Sequence, residues 1–224
     1  MPRKLVIMIM LFVPVLALAG NDRLASHRVR GRVDVSWDRA SSIVISDTLI
    51  SPNTMTVRSL WDRDSLYFRF DVLDSNLWAL QTERDHKILY QDDMCEVLLD
   101  CDNDHSGKWD CDDRIYHINL NGIVKDDRGT DEGISDKDWD GNEAFRVWLR
   151  GSLNDSSDVD EGYTIVLAIP WTDLGKKARA GLVMGMNTAF SDRCGADCER
   201  KMVLWRPAAL TRDTSTFGEL FLVR

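Results

Sequence analysis

Motifs that mark catalytic sites are missing from this sequence of 224 residues. It contains no Gly-x-Ser-x-Gly nucleophile elbow, no His-Glu-x-x-His zinc motif and no glycine-rich phosphate loop. Acidic residues are plentiful, but no two of them stand out as the opposed carboxyl groups that glycosidic hydrolysis requires. We therefore expect a protein that is not an enzyme.

Long apolar segments are also scarce, and the single one lies at residues 5–19. Arg3 and Lys4 precede it, and it ends in Ala17-Leu18-Ala19, the small-x-small pattern that signal peptidase recognises. The run is short for a membrane span. We predict a signal peptide over residues 1–19, no membrane span after its cleavage, and a secreted protein that is extracellular or periplasmic.

Basic residues are outnumbered, with 28 Lys and Arg against 37 Asp and Glu and a formal net charge of −9. An acidic surface repels phosphate backbones, so we expect no nucleic-acid partner. Neutral sugars and divalent cations remain compatible with this charge.

No long segment has a helical period, and most strong segments alternate between apolar and polar residues, as half-buried strands do. Residues 66–72 are the clearest example. Polar, Asp- and Gly-rich stretches separate these segments. The pattern predicts an all-β fold, an antiparallel β-sandwich of the immunoglobulin or jelly-roll type with acidic loops. We predict one domain over residues 33–224 after a loosely ordered polar lead-in at 20–32. The other predicted strands are 56–60, 95–99, 116–120, 145–150, 163–169, 184–190 and 219–223.

Five cysteines leave at least one thiol unpaired. Cys95 lies in an apolar alternating run and is expected to be a buried free thiol. The pairs Cys101–Cys111 and Cys194–Cys198 could each close a short loop, which a secreted protein permits. Zinc is the alternative, although Cys-x3-Cys with four histidines matches zinc spacing poorly.

Four segments resemble family 9 carbohydrate-binding modules, in the order in which that family carries them. Residues 59–67 resemble its L-W-D-x-x-x-L-Y strand pair, and residues 92–100 resemble its D-D-x-V-E-V-F-L-D strand. Residues 151–171 resemble G-T-L-N-D followed by G-Y-T-V-E-x-A-I-P-W, and 217–220 match the closing F-G-x-L. The resemblance implies a β-sandwich that binds plant-type polysaccharides or oligosaccharides of the xylan and cellulose class. Such modules are often attached to glycoside hydrolases, and they often hold structural calcium.

The resemblance also suggests site residues, because the family holds sugars between two aromatic walls with polar groups between them. Tyr90 falls at the first wall, and Glu96 falls on the ligand-contacting glutamate. His117 stands where the family has arginine, and Asn119 falls on its asparagine. Strand alternation independently predicts that the last three face away from the core. Thr211 occupies the second wall, a departure for which the loop aromatics Trp78, Trp109 and Trp139 could compensate; we include Trp78 in the site.

Two acidic loops are candidates for calcium, which prefers six to eight oxygen ligands. One carries Asp100, Asp102 and Asp104 before Gly107. The other carries three aspartates before Gly162, at positions Asp155, Asp158 and Asp160. The alternative is that both loops are simply solvated.

Two other functions remain open. Related sandwich domains hold haem through Met and His or Lys, and the candidate ligands here are His117 with Met55, Met94, Met184, Met186 and Met202. The methionines could equally be core filler. The second alternative is a structural or surface-interaction domain without sugar affinity. For Trp37, Trp61 and Trp171 we expect core packing.

Overall fold

The structure is a computed structural model that describes residues 22–34, 36–195, 198–207 and 212–224. Within these ranges the regular elements are strands and three short 3-10 helices, Trp37–Arg39, Leu89–Gln91 and Thr214–Thr216. No helix in the described residues is long and apolar enough to cross a membrane. The predicted signal peptide lies outside the described ranges. The strands are β1 (Arg23–Arg28), β2 (Ser42–Ser46), β3 (Thr54–Trp61), β4 (Ser65–Leu73), β5 (Met94–Asp100), β6 (Asp113–Asn119), β7 (Val124–Gly129), β8 (Ser135–Asp136), β9 (Ala144–Arg150), β10 (Gly162–Pro170), β11 (Val183–Asp192), β12 (Lys201–Leu204) and β13 (Gly218–Val223).

The strands form one curled sheet in the order β8-β7-β6-β5-β11-β13-β1-β3-β4-β10-β9, with β12 paired to β11 and β2 paired to β3. We call β8 to β13 in this order, with β12, the first half-sheet, and β3 to β9, with β2, the second half-sheet. Both halves contribute to one core cluster. The all-β sandwich predicted from the sequence is confirmed.

The core forms because alternate residues of each strand point inward. On β4 these are Leu66, Phe68, Phe70 and Val72, and the other half-sheet supplies residues such as Phe190. Trp37, Trp61 and Trp171 are buried, as expected. Gly162, at the start of β10, has a φ of 122°. A Cβ there would collide with the Val72 carbonyl, so this position requires glycine.

The eight predicted strands are all present, but the N-terminal lead-in differs from the prediction. The lead-in at 20–32 is not loose throughout, because residues 23–28 form β1, which pairs in parallel with both β13 and β3 and joins the two half-sheets. Leu24 and Ser26 are fully buried there. Strand β1 alternates in burial, but its basic and polar composition conceals this. Strands β2, β7, β8 and β12 were also missed.

The cysteine predictions have mixed outcomes. Cys194 and Cys198 form a disulfide, and Cys95 is a buried free thiol, as predicted. The pair Cys101–Cys111 is wrong, because Cys101 is buried beneath the sheet while Cys111 is exposed, and both are free. Burial raises the pKa of the Cys95 and Cys101 thiols well above their usual range.

Candidate functional site

The outward face of the first half-sheet carries a pair of polar side chains in register. Glu96 on β5 lies directly opposite His117 on β6, and Ala189 and Lys125 continue the row on either side. The Glu96 Oε2 atom is 2.9 Å from His117 Nδ1. Cys95 and Tyr116, their neighbours along the strands, point into the core. Strand alternation therefore predicted the orientation of the pair correctly.

Burial of this pair was not predicted. Glu96 is 1% exposed and His117 is 8% exposed. The Glu96 Oε1 atom is buried and has no hydrogen-bond partner among the described residues. A buried polar atom without a partner costs about 1–3 kcal/mol. This oxygen therefore has an unused acceptor position, which a ligand hydroxyl reaches only when the side chains that cover it move.

Tyr90 lies in the 3-10 helix Leu89–Gln91, just before β5, and this helix contacts β6. Tyr90 is 39% exposed, and the Arg200 guanidinium carbon lies 5.0 Å from the centroid of its ring. Arg200 follows the Cys194–Cys198 disulfide, which closes the loop after β11. Arg200 thus covers part of the Tyr90 ring, and the exposed remainder could stack on the apolar face of a sugar.

Asn119 is more heavily used by the fold than expected. Its Nδ2 donates to the Gln81 carbonyl at 2.8 Å and to Asp92 Oδ2 at 2.9 Å. Its Oδ1 accepts from the Ile123 backbone N–H at 2.9 Å. The side chain is fully buried, so it supports the turn after β6 and holds the Gln81 segment beside the site.

Trp78 is half-buried, and its backbone exchanges two hydrogen bonds with Asp93. Its indole Nε1 is buried without a partner among the described residues. Asp93 directly precedes β5, so Trp78 is anchored at the start of the strand that carries Glu96. The structure thus pairs Glu96 with His117, whereas Trp78 and Asn119 are attached to the segments leading into and out of these strands.

Two of the three aromatics that could replace the second wall, Trp109 and Trp139, are packed against other parts of the protein. Thr211 lies outside the described residues. Trp109 is buried on the outward face of the first half-sheet, where it packs with Leu98, Ile115 and Phe217. The Arg212 guanidinium lies 5.2 Å from its ring centroid. Trp139 packs edge-on against Tyr116 at 6.1 Å. Both rings are therefore occupied by protein contacts. The packing of Trp109 against Leu98, two residues from Glu96 on the same strand, was not predicted. Trp109 lies in a loop whose sequence has no strand pattern.

The two predicted calcium loops do not gather their aspartates into clusters. Asp102 and Asp104 are exposed, and Asp102 pairs with Lys176. Asp100 is buried and accepts from the His105 backbone N–H at 3.0 Å; the carboxylates near it are those of Asp112 and Asp113.

In the second loop, Asp155 and Asp158 are exposed. Asp160 is buried and accepts from the backbone N–H groups of Leu77 and Ser152, at 2.7 Å each. Its role is to tie this loop to the segment after β4.

A buried group of three carboxylates was missed by the sequence analysis. Asp74, Asp93 and Asp192 each place an oxygen within 4.8 Å of the others, and all three are buried. Burial, with the Asp192 charge nearby, raises the pKa of Asp74 to about 6. Burial and the charge of Asp74 raise the pKa of Asp93 well above its usual range. The Asp74 Oδ2 atom has no partner among the described residues, so the donor set and its unused oxygen fit a divalent cation.

The methionines considered as haem ligands are largely core residues. Met55, Met184 and Met186 belong to the core cluster, on the opposite side of the sheet from His117. His117 itself faces Glu96. This arrangement favours the core-filler interpretation.

Comparison with known proteins gives a family match. The family described as "Carbohydrate family 9 binding domain-like" matches residues 29–224. The Exoglucanase XynX of Acetivibrio thermocellus is 26% identical over 200 residues, and the Endo-1,4-beta-xylanase A of Thermotoga neapolitana is 25% identical over 202. These matches cover 87% and 88% of the chain but only 16% and 17% of the relatives, so the chain spans about a sixth of their length.

Similar solved structures share the fold. A family 9 module from Caldicellulosiruptor kristjanssonii, described in complex with cellotriose, has a TM-score of 0.67 at 20% identity. The match covers 90% of this chain and 93% of that one. A structure from Bacteroides uniformis, described as a putative carbohydrate-binding protein, has a TM-score of 0.66 at 12% identity and covers 91% of this chain and 100% of that one.

Proposed function

Because the chain belongs to the carbohydrate family 9 binding domain-like family, we propose that it is a secreted, non-catalytic module that binds polysaccharides or oligosaccharides of the xylan and cellulose class. The names of its relatives, an exoglucanase and xylanases, support this class of ligand. So do the cellotriose and glucose complexes of similar modules. Glycoside hydrolases acting on the same polysaccharide are the proposed partners.

The observation that carries the proposed site is the unpartnered, buried Oε1 of Glu96. A sugar hydroxyl donating to this oxygen would satisfy it, while Oε2 stays close to His117. A hydrogen bond to a charged group contributes about 1.5–3 kcal/mol. In our proposal the exposed ring of Tyr90 stacks on a sugar face, and Glu96 and His117 contact its hydroxyls. Asn119 and Trp78 then position the surrounding segments, since their own contacts are with the protein.

The experiment that tests this proposal is titration calorimetry with cello- and xylo-oligosaccharides. Tyr90→Ala should weaken binding about tenfold, the effect of losing roughly 1.4 kcal/mol from one aromatic contact. Tyr90→Phe keeps the ring and should bind as the parent does. The melting temperature of Tyr90→Ala should fall only slightly, because the exposed stack with Arg200 is worth about 0.5–1 kcal/mol. Absence of binding to the whole panel by folded protein would refute the proposal.

We also propose calcium as a structural cofactor, held by Asp74, Asp93 and Asp192. Three buried carboxylates repel one another unless protons or a cation neutralise them. A bound calcium ion would fix the segment after β4 against the entry to β5 and the end of β11. Asp93 also accepts hydrogen bonds from the Trp78 and Arg193 backbones. Removal of the cation should therefore loosen the segments that flank Glu96.

A further inference from the structure

The outward face of the second half-sheet is distinct from the Glu96 face, because the core lies between them. On β9, Phe145, Val147 and Leu149 pack against the core. Arg146, Trp148 and Arg150 consequently point outward. Residues 29–33 and 37–40 cover part of this surface, where Trp37 packs with Leu60 and Val166. The remainder is what we call the arginine face, made of Arg58, Arg69, Asp71, Arg146, Trp148, Arg150 and Thr164.

Cross-strand pairing organises the arginine face into two adjacent rows. One row runs from Trp148 through Thr164, Asp71 and Thr56 to Val44. The other runs from Arg146 through Val166, Arg69 and Arg58 to Ser42. Five strands about 4.8 Å apart span about 19 Å. The two rows thus extend along about 19 Å of the sheet, although Trp37 covers one of them at Val166 and Thr164 in the other is buried.

Hydrogen bonds hold the polar groups of this face in place. Arg150 Nη1 donates to Thr164 Oγ1 at 3.0 Å, and Thr164 Oγ1 donates to Asp71 Oδ1 at 2.8 Å. Asp71 also accepts from both Arg69 and Arg58, at 2.8 Å each. These guanidinium groups lower the pKa of Asp71 against the opposing effect of its burial. The guanidinium groups are thus oriented before any ligand arrives, which reduces the entropic cost of binding.

The charge of the arginine face is opposite to that of the whole chain. Four arginines outnumber Asp71 on the face and Asp38 beside it, whose charge also acts on Arg69. The local balance is thus about +2 by Coulombic counting, whereas the chain carries −9. Arg146 is paired with Val166 through the backbone, whereas its side chain is exposed and forms no hydrogen bond or ion pair with the described residues. The face therefore has a guanidinium group, that of Arg146, that is free to bind a ligand two residues from the aromatic ring of Trp148.

Trp148 is the feature that indicates a sugar. It is 48% exposed on the outward side of β9, with Arg146 and Arg150 two residues away on either side along the strand. Tryptophan stacks on apolar ring faces. Arginine is suited to bidentate recognition of carboxylates.

We propose that the arginine face is a second binding surface, for glycans that carry carboxylates, such as chains of uronic acid or xylan with uronic acid branches. Trp148 stacks on a sugar ring, while Arg146 and Arg150 contact carboxylates of the same or adjacent units. The inference goes beyond the proposed function, because it concerns a different surface and a different ligand charge. Nucleic acid is disfavoured as the occupant, since its dense phosphates would meet the acidic remainder of the protein.

The test uses polygalacturonate and its methyl ester, which have the same rings with and without charge. Wild-type protein should bind polygalacturonate in low salt, and the methyl ester about tenfold more weakly. Trp148→Ala and Arg146→Ala should each weaken polygalacturonate binding about tenfold, while their melting temperatures stay unchanged. Lys137→Ala removes an exposed charge from the loop after β8 and should have no effect. Tyr90→Ala should also leave polygalacturonate binding unchanged.

The inference would be overturned by no binding of polygalacturonate to folded protein, by equal binding of the ester, or by equal binding to Trp148→Ala. Single-stranded DNA that binds as tightly as polygalacturonate, and independently of Trp148, would indicate general attraction of polyanions and also overturn it. Failure of this inference can be distinguished from failure of the proposed function. Loss of cello-oligosaccharide binding alone counts against the Glu96 site, and loss of polygalacturonate binding alone counts against the arginine face.

Discussion

Replacing Glu96 by glutamine tests the central feature of the proposed sugar site. The substitution keeps the shape of the side chain but removes its charge, so it weakens both the contact with His117 at 2.9 Å and any bond from Oε1 to a sugar hydroxyl. A charge-assisted hydrogen bond is worth about 1.5–3 kcal/mol, whereas a neutral one is worth about 0.5–1.5 kcal/mol. The difference of about 1–1.5 kcal/mol corresponds to a roughly five- to tenfold increase in Kd.

Titration calorimetry with a cello-oligosaccharide measures this change, and thermal unfolding of the free protein is recorded in parallel. Glu161→Gln, an exposed glutamate next to β10, is the matched control and should leave Kd unchanged. The free Glu96→Gln protein should keep a melting temperature within a few degrees of the parent, because its volume and packing are preserved. An unchanged Kd for Glu96→Gln would show that the ligand does not reach Oε1, and the proposed contact between Glu96 and the sugar would be wrong.

Three further predictions concern stability and chemistry. Leu24→Ala should lower the free energy of unfolding by about 2–4 kcal/mol in denaturant titration, because Leu24 is buried on β1, the strand that joins the two half-sheets. Val44→Ala, at an exposed position, should change the free energy of unfolding by less than about 0.5 kcal/mol. Equal effects of the two substitutions would contradict the role of β1. Native protein should react with a maleimide only at Cys111 and with all three free thiols after denaturation without reductant; mass spectrometry would reveal a second native adduct if this is wrong. Chelation of calcium should lower the melting temperature of the parent but not of Asp74→Asn, and a parent that is indifferent to both chelator and added calcium would rule out the proposed cation at the buried carboxylates.

The sequence by itself determined the strand pattern and the family resemblance. Alternation along β4, β5 and β6 depends on adjacent residues, so it could be read locally, and it placed Glu96 and His117 on the face away from the core. The Asp- and Gly-rich stretches between strands indicated a β-sandwich, and the four family-like segments in the right order indicated the correct family. The disulfide Cys194–Cys198 was also predictable, since its partners lie close together in one loop.

Tertiary structure decided what depends on residues distant in the chain. Strand β1 is held by parallel partners at residues 60–61 and 219–223, which no local pattern in a basic segment reveals. Asp74, Asp93 and Asp192 meet only because three strand ends converge, whereas neither Asp100, Asp102 and Asp104 nor Asp155, Asp158 and Asp160 form such a group. The burial of Glu96 and the exposure of Trp148 likewise follow from which face each half-sheet leaves uncovered. Local alternation specifies that a side chain faces away from the core, but what covers that face is set by packing between segments far apart in the sequence.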